Sequence, residues 1–207
     1  AGGRADRGWP MRQAQVNPAE ALTLASAASA TLGLCAPGLG WSAAATTAVM
    51  VACVAASLLL DRLDGPLARR LGVTSERGAR LDTLADLLAF GALPAVILVL
   101  ETGSIGLAVA LPYALAAVWR LARYDDGELA PTRWGPAFLG VPTAAAAAAV
   151  VVALVLARPL LVPVAALATA LMPSRVRYPK RGPGAWPWLV LVPVAVVVAV
   201  ARAVGGS

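Results

Sequence analysis

Long apolar runs, each close to the length of a bilayer crossing, alternate along the chain with short polar stretches that hold nearly all of its charge. A membrane-spanning helix needs about 20 consecutive apolar residues. Segments near that length fall at 18–35, 41–60, 81–100, 104–123, 138–157, 159–174 and 185–203. The pattern predicts an all-α membrane protein: a bundle of six core transmembrane helices plus a seventh, C-terminal span. The sixth segment is the shortest and contains Pro163. Residues 1–17 are polar, lack the apolar centre of a signal peptide, and read as a cytosolic tail. Residues 18–178 are then the transmembrane core, and 179–207 a basic loop with the extra span.

Charge sets the direction of the spans. With the N-terminus inside, every one of the 17 basic residues except Arg158 and Arg202 falls on the cytosolic side. Arg62, Arg69, Arg70, Arg77 and Arg80 follow the second span. Arg120, Arg123 and Arg133 follow the fourth, and Arg175, Arg177, Lys180 and Arg181 precede the seventh. This is the positive-inside distribution. Composition agrees with it: 59% of residues are hydrophobic and 14% charged, where soluble domains carry about a quarter. The net charge of +6 is spread between apolar runs. That placement suits anionic membrane lipids and diphosphates and argues against nucleic acid. Cys35 and Cys53 lie in apolar runs and offer neither a disulfide framework nor zinc spacing.

Four aspartates break the apolar pattern. The second span runs into Asp61, Asp64, Gly65, Ala68 and Arg69, at i, i+3, i+4, i+7 and i+8, which is one helical stripe. The third span opens with Gly78, Asp82 and Asp86, at i, i+4 and i+8, again one stripe. Two helices joined by a short cytosolic turn thus turn four carboxylates toward each other. A carboxylate at bilayer depth costs roughly 2.5–3.5 kcal/mol on insertion scales, and clustered acids repel one another. Pairing with nearby arginines would explain one such acid. It does not explain four on two facing stripes with Gly and Ala between them. Hard divalent cations with oxygen ligands meet the need, and the chain has no histidine to make a softer site. Two such ions, bridged by shared carboxylates, suit phosphoryl chemistry. Gly65 and Ala68 leave room for a ligand against the helix, Arg69 offers a planar fork to a phosphate, and Gly78 allows close approach of a nucleotide. Pro66, beside Gly65, lacks a backbone donor and is expected to open the helix locally.

The run Asp61-x2-Asp64-Gly65-x2-Ala68-Arg69-x8-Gly78-x3-Asp82-x3-Asp86 resembles the complete signature of the CDP-alcohol phosphotransferases, with all eight positions and all spacings met. The resemblance implies a six-helix core, often homodimeric, with its site open to the cytosolic leaflet, here of a bacterial cell membrane. It implies Asp61, Asp64, Asp82 and Asp86 as metal ligands, Asp86 also as general base, and Gly65, Ala68, Arg69 and Gly78 as CDP contacts. The implied ions are Mg2+ or Mn2+, two in number. Within the family, the runs around Thr74–Asp86, Phe90-Gly91, Arg120–Tyr124, Phe138–Pro142 and Leu171–Pro179 are similar to phosphatidylserine synthases. Asp125 stands where that group usually has Asn, and the first span, Leu22-Thr23-Leu24-Ala25-Ser26, lacks an Asn often found there.

The expected reaction carries the phosphatidyl group of CDP-diacylglycerol to the hydroxyl of L-serine and releases CMP. Arg120 and Arg123, one turn apart near the cytosolic end of the fourth span, are candidates for binding the acceptor carboxylate. Anchoring to lipid headgroups is the competing role for both. Glycerol 3-phosphate or inositol phosphate as acceptor would keep the reaction but need more cations around a phosphate. A cation transporter using the acids as an ion path is the alternative from another class. The absence of an internal repeat and of acids deep in the other spans weighs against it.

Overall fold

The computed structural model describes residues 16–125, 129–132 and 135–179. The expected span at 185–203, with most of the polar tail, lies outside these residues. The described chain is mostly helical. Three of its helices, Pro18–Leu39, Ala43–Leu71 and Glu76–Arg123, are long and apolar enough to cross a membrane.

Helix α1 (Pro18–Cys35) begins with a reciprocal cap: Asn17 accepts from the Glu20 N–H, and the Glu20 carboxylate accepts from the Asn17 N–H. Because the helix is apolar nearly all round, size rather than polarity selects its buried face. Ala19, Thr23, Ser26, Ala30 and Gly33 recur at three- and four-residue steps along it. A Cβ on Gly33 would stand 2.9 Å from Leu93 and 3.0 Å from Cys53. Small residues let helices approach where the surrounding lipid removes any hydrophobic drive between them. Ser57 then donates to the Ser26 carbonyl at 3.2 Å, and Ser29 to the Cys53 carbonyl at 3.3 Å, tying α1 to α2.

Helix α2 (Ala43–Leu71) is capped by Ser42 and runs unbroken through Pro66. The expected local opening does not occur. Arg62 and Pro66 are both exposed, so the carbonyl that Pro66 leaves unbonded faces outward and does not force the helix apart. The helix closes at Gly72, and the Val73 N–H reaches back to the Ala68 carbonyl at 3.0 Å. After a turn, Ser75 caps α3 (Glu76–Asp86) by accepting from the Gly78 N–H at 3.0 Å.

Directly after Asp86 the chain winds as a π-helix over Leu87–Ala92, then continues as α4 (Leu93–Asp125). The apolar run from Glu76 to Arg123 has 48 residues, about 72 Å if straight, far beyond the roughly 30 Å of a bilayer core. Gly103 resolves the excess. Its φ of 63° and ψ of −135° are non-helical, a conformation suited to glycine, and the chain folds back there. A Cβ on Gly106 would come within 2.2 Å of the Leu98 carbonyl oxygen, although residues eight apart in a straight helix are about 12 Å apart. Farther down the hairpin the Tyr113 hydroxyl, fully buried, donates to the Phe90 carbonyl at 3.0 Å. The break falls between the third and fourth expected segments.

The later segments depart more from expectation. Residues 138–142 do not join a helix. Gly140 has φ 79° and Pro142 caps the next helix, so α5 spans only Thr143–Leu156. After a short turn at Arg158–Leu160 comes α6 (Leu161–Leu171). Pro163 sits in its first turn, where no intrahelical donor is needed. At 14 and 11 residues these helices are short of a full crossing. The all-α expectation also needs correction. Leu129–Thr132 (β1), Gly135–Leu139 (β2) and Arg177–Pro179 (β3) form an antiparallel sheet in the order β1-β2-β3, with Leu129 opposite Phe138 and Ala137 opposite Pro179. Sequence periodicity cannot reveal this pairing, because β3 is some forty residues from its partner.

The core lies where α2, the π segment, α4 and α5 meet, around Met50, Val51, Val54, Phe90, Leu93, Ile97 and Val150. Large apolar side chains such as Leu107, Leu111, Leu115 and Trp119 point outward from α4, as a lipid-facing surface requires. A further acid, Glu101, lies at the opposite end of α2 from the four aspartates. Its side chain is 8% exposed, pairs with Arg158 at 2.8 Å and accepts from Thr47. From Thr47 to Asp61 along α2 is about 21 Å, so this cluster and the four aspartates occupy opposite ends of the bundle.

Candidate metal and nucleotide site

The C-terminal part of α2 and the whole of α3 carry the site. Asp61 is on α2; Asp82 and Asp86 are on α3. Each offers a carboxylate oxygen, and these oxygens lie within 4.8 Å of one another. Around one ion with metal–oxygen distances of about 2.0–2.1 Å, ligand oxygens sit roughly 3 to 4 Å apart. A small contraction therefore brings the three acids to coordination. The donor set is all oxygen and anionic, so it fits a hard divalent cation.

Asp64 joins the cluster differently. It is buried, and its Oδ2 accepts from the Thr23 hydroxyl of α1 at 2.8 Å. Its charge still acts on both Asp61 and Asp86. Two arginines of the first turns of α3 are engaged elsewhere: Arg77 pairs with Glu20 at 3.6 Å, and Arg80 with Glu76 at 3.9 Å.

Beside the acids opens a cavity of about 190 Å³. Asp64, Gly65, Ala68, Arg69, Gly78 and Asp82 all line it. The two stripes read from the sequence therefore share one wall. A Cβ on Gly65 would lie 3.5 Å from a terminal nitrogen of Arg69, so the guanidinium lies across the gap that glycine leaves. Gly78 is similarly placed: its Cβ would stand 3.2 Å from the Ser75 hydroxyl. Asp61 and Asp86 do not line this cavity; both are half-buried.

The two acceptor candidates separate. Arg120 is 7% exposed, and its charge acts on both Asp61 and Asp86. Arg123 donates to the Pro173 carbonyl at 3.0 Å and so ties α4 to the end of α6.

Among the lining residues missed in the sequence, Asn17, Glu20 and Thr23 stand at the start of α1. A signal existed for two of them. Asn17-x-x-Glu20 is a capping box, and it fixes where α1 begins. Nothing local marked Thr23, whose partner is 41 positions away.

Residues 16–201 match the profile of the CDP-alcohol phosphatidyltransferases. The chain belongs to this family. Curated relatives named CDP-diacylglycerol–serine O-phosphatidyltransferase are similar to it. One from Mycobacterium leprae is 41% identical over 108 residues, covering 49% of this chain and 36% of the relative. One from Helicobacter pylori is 35% identical over 141 residues, covering 61% and 59%. One from Bacillus subtilis is 29% identical over 129 residues, covering 59% and 70%. The chain spans less than two thirds of the length of the first two. The family match includes both stripes of the site and the α1 residues beside them.

Proposed function

We propose that this protein transfers the phosphatidyl group of CDP-diacylglycerol to the hydroxyl of L-serine, forming phosphatidylserine and CMP. One observation carries the reading: three carboxylates within 4.8 Å of one another adjoin a cavity walled by Arg69, Gly65 and Gly78, in a chain of this family. The names of the relatives favour serine among the acceptors.

In this reading Asp61, Asp64, Asp82 and Asp86 hold two divalent cations, Mg2+ or Mn2+. When bound, these supply positive charge against the diphosphate and the departing CMP. Gly65, Ala68 and Gly78 keep the cavity wall thin enough for the CDP moiety, and Arg69 binds its phosphates through a planar fork. Asp86 takes the proton from the serine hydroxyl. The oxygen then bonds to the lipid-side phosphorus as the bond to the CMP oxygen breaks. Arg120, buried beside Asp61 and Asp86, is the better placed of the two arginines to receive the serine carboxylate. Arg123 supports that end of α4 through Pro173.

The same reading has the site at the cytosolic leaflet of a bacterial cell membrane, in a homodimer. Residues 18–178 form a six-helix core, followed by a basic loop and a further span. The positive-inside distribution of the basic residues supports that orientation.

The test is CMP release from CDP-diacylglycerol in mixed micelles, with Mg2+ or Mn2+, across serine, glycerol 3-phosphate, inositol phosphate and glycerol. Turnover with serine alone is expected. Turnover with another acceptor in its place would move the specificity and leave the chemistry. No CMP with any of them, in folded protein, would overturn the reading. Asp86→Asn is expected to abolish turnover while keeping CDP binding; full activity in that variant would remove Asp86 from the role of base.

A further inference from the structure

We propose that Thr23 is a positioning residue: its hydroxyl, delivered from α1, fixes the orientation of the Asp64 carboxylate for cation binding. This rests on the reading that the aspartate cluster holds a divalent cation.

Thr23 and Asp64 are 5% and 7% exposed, and the hydroxyl lies 2.8 Å from Oδ2. The Thr23 oxygen is also 3.2 Å from the Ala19 carbonyl, one turn back on its own helix. A hydroxyl has one proton to give. Bonding to the i−4 carbonyl is an ordinary habit of threonine in helices, and it would make Thr23 a purely local feature. The distances favour the carboxylate, and an ionised acceptor forms the stronger bond. The hydroxyl therefore donates to Asp64.

The consequence follows from the way α1 is held. Glu20, one turn earlier on the same face, pairs with Arg77 of α3. Asn17 and Glu20 cap each other. Farther along, Ser26 and Ser29 are joined to α2. The first turns of α1 are thus pinned to both helices that carry the acids, and Thr23 is a donor on a fixed frame. A carboxylate held by such a donor has already lost the freedom that cation binding would otherwise take from it. Hydrogen-bond partners of ligating carboxylates are worth about 10–100-fold in metal affinity or activity.

The experiment measures Mn2+ affinity of the detergent-solubilised full chain, without lipid substrate, by the loss of the free-ion electron paramagnetic resonance signal. Thr23→Val keeps the shape and removes the hydroxyl. Thr23→Ala removes it without β-branching, should valine disturb the packing of α1. Thr23→Ser restores it. Expected is a loss of about 10–100-fold in affinity for the valine and alanine variants, near-parent affinity for the serine variant, and cooperative thermal unfolding of all three without metal, the valine and alanine variants no more than about 8 °C below the parent. Parent-like affinity in a folded variant lacking the hydroxyl would overturn the role of Thr23. So would weak binding by the serine variant. If the parent itself binds no Mn2+, the metal reading falls and this inference falls with it. Asp61→Asn, measured alongside, separates the two cases by weakening binding in the first and changing nothing in the second.

Discussion

Tyr113→Phe tests how the π segment after Asp86 is held. The substitution removes one oxygen and leaves the ring. Tyr113 and Phe90 are both fully buried, and the hydroxyl donates to the Phe90 carbonyl at 3.0 Å. Phenylalanine fills the same space, so no cavity arises and the hydrogen bond is isolated. Hydrogen bonds between membrane helices average about 0.6 kcal/mol and reach about 1.7. Leaving a buried carbonyl short of a partner costs about 1–3 kcal/mol. The overlap gives about 1–2 kcal/mol. For a chain of this size each kcal/mol shifts Tm by roughly 2–4 °C, so the variant should unfold about 2–8 °C lower. Cys53 supplies the assay, since it is 5% exposed while Cys35 is exposed. In a Cys35→Ser background a thiol-reactive dye reports unfolding through Cys53 alone. Both proteins are heated in the same detergent at one scan rate. An unchanged or raised midpoint would refute the claim that this bond stabilises the hairpin.

Three further outcomes are expected. Gly140→Ala should destabilise by more than about 2 kcal/mol, because its Cβ would fall 2.0 Å from the Met172 carbonyl oxygen at a φ of 79°; the same dye assay reads it. Arg69→Lys should raise KM for CDP-diacylglycerol roughly tenfold or more, with kcat less affected, since a planar fork on a phosphate is replaced by a point charge; initial-rate kinetics in micelles measure the split. Arg158→Ala should cost less than about 1 kcal/mol although the pair with Glu101 is only 2.8 Å long, because the arginine is 69% exposed; Thr47→Val, removing the other donor to Glu101, should cost at least as much in thermal unfolding.

Much of the site was legible because its parts are local. Asp61, Asp64, Gly65, Ala68 and Arg69 share a helical face by spacing alone. Gly78, Asp82 and Asp86 do the same on α3, and a turn of only a few residues forces the two faces together. The reversal at Gly103 was legible for a similar reason, as an apolar run too long for a single crossing. The sheet was not, because its strands lie inside stretches that read as loop or as span and pair only at long range. Nor was the π winding after Asp86, since its residues, Leu87 to Ala92, are as apolar as their helical neighbours.

The sequence alone determined that this is a membrane protein with acids at one end of two adjacent helices, because helix period and bilayer length act on each segment independently. Only the tertiary structure decided how those acids are shared. Asp61, Asp82 and Asp86 converge, Asp64 turns to a hydroxyl on α1, Arg120 is buried against the cluster, and Arg123 is drawn off to Pro173. Each of these depends on which helices become neighbours. That choice is made by small residues such as Gly33, whose close contacts with Cys53 and Leu93 come from parts of the chain that spacing cannot connect.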